Sequence, residues 1–150
     1  MSSNEKINLK LIGRNLDDLK VISAHLQDSV TTVKNMVFLK QNKIFVMIVN
    51  RFMWEDVERG FFRKNKRIRC AVKFEEINKT ISKNINQKKK NKILECLAIH
   101  SNLNKKDEIY ETKIFFAGGS MITMFSETID LVMHDLGKPW GAKFVPKHNI

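Results

Sequence analysis

From Val30 to Phe125 the chain carries strand patterning almost without a break, and that run constrains the fold more than any other feature of the sequence. Its clearest stretch is 67–74, where Ile68, Cys70, Val72 and Phe74 alternate with Arg67, Arg69, Ala71 and Lys73. A period of two puts one set on a buried face and the other in water. Val30–Leu39 and Ile44–Phe52 read as strands joined by the polar turn Lys40-Gln41-Asn42-Lys43. Ile77–Ile85 follows an acidic Glu75-Glu76 corner; its isoleucines also suit a helix face, but the intervening Thr, Ser and Asn favour a strand. Ile93–Ser101 and Tyr110–Ala117 come next, and Gly118-Gly119 makes a tight turn into Met121–Phe125. Connections without intervening helices cannot carry parallel crossovers, so the sheet is expected to be antiparallel.

Helical signals stand only at the two ends of this run. Residues 7–11 alternate as a first short strand, broken by Gly13. Asn15 is then a candidate N-cap, with Asp17 and Asp18 in the first turn. Leu16, Leu19, Ile22 and Leu26 give 16–28 an amphipathic helical face. At the other end, Ser126 would cap a final helix holding Ile129, Val132, Met133 and Leu136, stopped by Gly137 and Pro139. The expected class is therefore α+β: one domain over 1–150, ordered from about 7 to 145. It has a mainly antiparallel sheet or small barrel of about seven to eight strands, an N-terminal helix and a C-terminal helix. Seven antiparallel strands closed by a C-terminal helix is a pleckstrin-homology-like layout; a curved open sheet with both helices on one face is the alternative.

Composition bounds the setting. With 150 residues and 43% apolar content, the chain can bury a core without disulfide or metal staples. The longest apolar run, Ile44–Val49, is far short of the roughly 20 residues of a membrane span, and the N-terminus lacks a secretory h-region. The two isolated cysteines, Cys70 and Cys96, form no disulfide framework. A cytoplasmic protein without membrane contact is expected. The net charge is +11, but Lys, Asn and Ile together fill 51 of 150 positions against six Arg, a bias that A/T-rich codons produce. Location says more than the total. Two basic clusters, Arg63-Lys64-Asn65-Lys66-Arg67 and Lys88-Lys89-Lys90-Asn91-Lys92, fall in loops, with few aromatics nearby to stack on bases.

Nucleophile motifs are missing: there is no GxSxG, no SxxK and no phosphate loop. The four histidines, at 25, 100, 134 and 148, show no metal-ligand spacing, so neither a metal nor a cofactor is expected. His25 and Asp28 lie three apart on the first helix, where a carboxylate can orient an imidazole, or where the two simply tie down a helix end. Asn50-Arg51-Phe52-Met53-Trp54 closes a strand with a guanidinium and two aromatics, and Trp140 follows Pro139. Arg and Trp dominate binding hot spots, though tryptophans equally cover the ends of cores.

Segments 9–13 (LKLIG), 18–30 (DLKVISAHLQDSV), 49–55 (VNRFMWE), 67–74 (RIRCAVKF), 94–100 (LECLAIH), 116–122 (FAGGSMI) and 135–143 (DLGKPWGAK) together resemble a family of small alphaproteobacterial proteins, domain of unknown function 2948. The resemblance implies a bacterial cytosolic origin and brings no activity, cofactor or catalytic residue with it. The expected function is a non-enzymatic binding or adaptor domain that recognises a protein partner through Arg51, Trp54, Trp140, His25 and Asp28. The alternative is nucleic-acid binding through the basic segment 51–92, with Arg63, Lys64, Lys66, Arg67, Lys88, Lys89, Lys90 and Lys92 as contacts.

Overall fold

The computed structural model describes residues 8–55 and 66–141. Ten strands and one complete α-helix are present among them, with Trp54 and Glu55 also helical: β1 Lys10–Gly13, α1 Leu16–Leu26, β2 Val30–Thr32, β3 Met36–Leu39, β4 Ile44–Phe52, β5 Lys66–Phe74, β6 Ile77–Lys83, β7 Ile93–Asn104, β8 Ile109–Phe116, β9 Met121–Ser126 and β10 Leu131–Gly141. Every pairing is antiparallel, and the order runs β1-β10-β5-β4-β2-β7-β8-β9-β6, with β3 on the far side of β4. Among the described residues the path ends at β1 and β6, so the sheet is open.

The short β2 divides this sheet into two parts. Val30 meets Asn50 of β4 on one side, while Val30, Thr31 and Thr32 meet Glu95, Leu94 and Ile93 of β7 on the other. A five-stranded half (β1, β10, β5, β4, β3) and a four-stranded half (β7, β8, β9, β6) thus face a common core. Phe45, Met47 and Val49 of β4, Cys70, Val72 and Phe74 of β5, and Leu131 and Met133 of β10 enter it from one half. Ile114, Phe116, Ile122 and Met124 enter from the other. At the β5–β6 corner Ile77 N–H donates to Lys43 O at 2.8 Å, drawing the start of β6 against the β3–β4 turn.

Helix α1 adds Leu19, Ile22 and Leu26 to the same core. Asn15 caps it as its residue type predicts: the side-chain oxygen accepts from Asp18 N–H at 2.8 Å, and Asp18 reaches back to Arg14 N–H at 2.9 Å. The helix crosses the end of β1 at Gly13, where an added Cβ would lie 2.6 Å from Leu131 Cδ2 and 3.0 Å from Ile22 Cδ1. Glycine is there for want of space. No helix among the described residues is long and apolar enough to cross a membrane.

Three expectations are corrected. First, ten strands replace seven or eight. Second, Val30–Leu39 is not one strand: a single 3-10 turn, Val33–Asn35, splits it, because Val33 and Lys34 turn their N–H groups away to Lys92 O and Lys90 O. Third, the C-terminal helix is β10, and with it goes the element that would have closed a pleckstrin-like barrel. Leu131, Met133 and Asp135 are buried in alternation with Val132, His134 and Leu136, and the strand is paired on both sides, with β1 and with β5. The stop signals Gly137 (φ +70°) and Pro139 lie instead where the β10–β5 register shifts, between Leu136 and Trp140.

Candidate functional site

Arg51 follows from the period of β4. Phe45, Met47 and Val49 point inward, so the next residue in that row is carried into the core, and Arg51 is fully buried. Its guanidinium has five N–H donors, and all five are engaged. Nε donates to Asp135 Oδ1 at 2.8 Å and Nη2 to Asp135 Oδ2 at 2.6 Å, a bidentate pair reaching across β5 to β10. Nη1 and Nη2 donate to Glu55 Oε1 and Oε2 at 2.9 and 2.8 Å, and Nη1 also reaches Phe52 O at 3.3 Å. Burial opposes the charge on Arg51, but the bonds to Asp135 and then Glu55 outweigh it and hold its pKa above the ordinary value. Burial likewise opposes ionisation of Glu55, and its Arg51 bonds reverse the sign, leaving its pKa lowered. One cation between two carboxylates gives the cluster a charge of −1.

Beside Glu55 lies a shallow cleft of about 210 Å³ lined by Ala24, His25, Gln27, Trp54 and Glu55. Trp54 Nε1 donates to Gln27 O at 3.0 Å, and its ring meets Phe52 edge-on with centroids 4.6 Å apart. His25 Nδ1 donates to Val21 O at 2.9 Å within its own helix. The cleft falls below the roughly 300–1,000 Å³ of small-molecule sites. A second cavity, under Leu19, Phe74 and Ile129, holds about 10 Å³, room for roughly one water.

The structure therefore gathers His25 and Trp54 around a cleft backed by Arg51, but it places Asp28 elsewhere. Asp28 is buried beyond the helix end in a left-handed conformation (φ +64°), its N–H donating to Cys96 O at 2.8 Å. Arg67 serves the same junction: its Nη1 donates to Asp28 O and Asn50 O at 3.3 and 3.2 Å. Lys66 begins β5, and its carbonyl accepts from Met53 N–H at 2.9 Å. Arg63 and Lys64 lie outside the described residues. Lys88, Lys89, Lys90 and Lys92 are exposed in the β6–β7 turn, and Trp140 is exposed near the end of β10, paired in register with Arg67. Both cysteines are buried; burial pushes the Cys96 thiol up to about 12 and raises Cys70 further, so neither is a thiolate nucleophile. Among the described residues no group of three or more His, Cys, Asp or Glu converges for a metal.

The feature that sequence reasoning missed is the outer face of the five-stranded half. Across all five strands the register aligns Val37, Val46, Lys73, Val132 and Ile12 in one row. A second row sets Ile48, Ala71, His134 and Lys10 side by side, and Leu39 stands opposite Ile44. Ile12 is 51% exposed and Val37 48%. The face is mainly aliphatic and carries Lys10, Arg69 and Lys73, the last at the middle of the first row; neither row contains Asp, Glu or an aromatic ring. Glu75, one residue past β5, meets Lys73 at 3.3 Å. The signal was present in the outward residues of β4, which are Ile44, Val46 and Ile48 where a solvated face would be polar.

Neither a curated protein nor a solved structure matches the chain. The family model described as protein of unknown function (DUF2948) matches residues 9–148, nearly the whole chain, and the chain belongs to that family.

Proposed function

We propose that this chain is a non-enzymatic binding module that recognises the surface of an acidic protein partner through the outer face of its five-stranded half. The observation that carries this reading is the row Val37-Val46-Lys73-Val132-Ile12, four aliphatic side chains and one lysine on a face against which no other element packs among the described residues. Four inter-strand spacings of about 4.8 Å make the row roughly 19 Å wide. A largely aliphatic exposed strip with charge inside it is the kind of surface that favours a protein partner. Charge selects the partner: Lys10 and Arg69, with Lys73 already paired to Glu75, oppose a second copy of the same face and favour an apolar surface rimmed by Asp and Glu. The missing aromatics disfavour base stacking there. In this reading Arg51 acts from beneath, as the ion-paired support of β4 and β10, and not as a contact. The two free, buried thiols support a reducing, cytoplasmic setting.

The test is site-specific photo-cross-linking in the native cell, with a benzophenone side chain placed at position 37 or 132 on the face, or at exposed Asn102 on the other half as a control. The expected result is an acidic protein joined from 37 and 132 but not from 102, and lost when Val46→Glu puts a carboxylate into the row. Equal adducts from all three positions, or adducts indifferent to Val46→Glu in a folded variant, would overturn the reading.

A further inference from the structure

A third surface is assembled by the tertiary structure from residues that are far apart in sequence. The turn between β6 and β7 folds on itself: Asn86 Oδ1 accepts from Lys88 N–H at 3.0 Å, Lys89 N–H donates to Asn86 O at 3.0 Å, and Lys92 N–H donates to Lys89 O at 3.1 Å. It then docks on the 3-10 turn after β2, through Lys34 N–H to Lys90 O at 3.0 Å and Val33 N–H to Lys92 O at 3.3 Å. That docking brings Lys34 up to a run from which it is more than fifty positions distant. Lys34, Lys88, Lys89, Lys90 and Lys92 are all exposed. Among the described residues no carboxylate lies within ion-pair distance of any of them. The β7–β8 turn is the internal contrast: Lys105 and Lys106 are followed at once by Asp107 and Glu108.

We infer that this five-lysine platform binds the phosphate backbone of nucleic acid, without reading sequence. Five unopposed ammonium groups on hydrogen-bonded turns present fixed positive charge to a polyanion, and neutralising phosphates releases condensed counterions. Exposed Asn86 and Asn91 and half-buried Asn35 add neutral groups of the kind that also contact phosphate and sugar. No aromatic residue occurs within either turn, so stacking on unpaired bases contributes nothing and the contacts are electrostatic. An anionic bilayer offers the same charge, but it would gain little from the amides and would draw mainly on Ile93, 65% exposed beside Lys92. The site is separate from the outer sheet face and stands or falls without it.

The test titrates the full-length protein against a mixed-sequence DNA duplex and a single-stranded RNA by fluorescence anisotropy over a salt series, and against phosphatidylserine/phosphatidylcholine vesicles by co-sedimentation. Five phosphate contacts give a duplex slope of about −4.5 in log affinity against log salt, roughly a 500-fold loss between 50 and 200 mM salt. Lys34→Ala and Lys90→Ala should each make the slope shallower by about 0.9, while Lys105→Ala and Ile93→Ser leave it unchanged. Lys34→Ala is the decisive variant, because only the fold places that residue in the platform. Unaltered slopes in both Lys34→Ala and Lys90→Ala, or an equal change in Lys105→Ala, would overturn the inference. So would binding confined to vesicles and weakened by Ile93→Ser.

Discussion

Arg51→Met removes the cation from a cluster in which Asp135 is 2% and Glu55 21% exposed, and leaves two carboxylates facing each other with no counter-charge. Breaking a buried ion pair in this way costs about 3–5 kcal/mol, a large share of the roughly 5–15 kcal/mol that holds a domain together. In a chain of this size that corresponds to a fall in Tm of roughly 10–15 °C. The pH dependence makes the reasoning specific. In the wild type the pKa of Glu55 is lowered on folding, so its contribution is present above its unfolded value of about 4.3 and is lost as pH falls through the folded value. In the variant the Arg51 bonds that lower the Glu55 pKa are gone and burial is left to oppose its ionisation, so the penalty is full at neutral pH and is relieved as pH falls. Urea denaturation should therefore show a gap between wild type and variant that is widest at neutral pH and narrows toward the carboxylate range. Replacing the whole cluster, as Arg51→Met/Asp135→Leu/Glu55→Gln, should recover most of the lost stability, because no unpaired charge remains. A gap below about 1 kcal/mol, or one that does not change with pH, would refute the assignment of Arg51 as a buried counter-ion.

Other consequences are equally open to measurement. Gly13→Ala should destabilise by about 1–3 kcal/mol in urea, since its Cβ would meet Leu131 and Ile22 at the crossing of α1 over β1. Trp54→Phe removes the indole N–H from Gln27 O and should lose about 0.5–1.5 kcal/mol, with faster amide exchange at the end of α1 as the local readout. Cys70 and Cys96 should resist a thiol reagent in the native protein at neutral pH and react once urea unfolds it; rapid native labelling would contradict their burial and raised pKa values.

Much of the fold was legible because period two is a strong signal. β4 runs from Ile44 to Phe52 as its alternation indicates, β5 differs from its expected bounds only by the addition of Lys66, and Asn15 caps α1 where its side chain and the acidic first turn predict. The candidate site was less legible. Arg51 suggests a hot spot when read beside Trp54, yet the same alternation that defines β4 carries it inward, where it is satisfied by nearby Glu55 together with a carboxylate 84 residues away. Nothing local to Asp135 announces that role.

What the chain determined by itself was the antiparallel run, because side-chain alternation and short connections are local properties that hold before any tertiary contact forms. The tertiary structure decided the state of 129–136, which satisfies both periods: Ile129, Val132, Met133 and Leu136 make a helical stripe, while Leu131, Met133 and Asp135 make a strand row. Local preference cannot separate the two. The strand prevails because its backbone completes the ladders of both β1 and β5, and because only in that state does Asp135 reach the guanidinium of Arg51. Tertiary contact likewise set Lys34 against the lysine turn and aligned four outward aliphatic side chains and Lys73 into one row, since register between strands is fixed by pairing and not by any single segment.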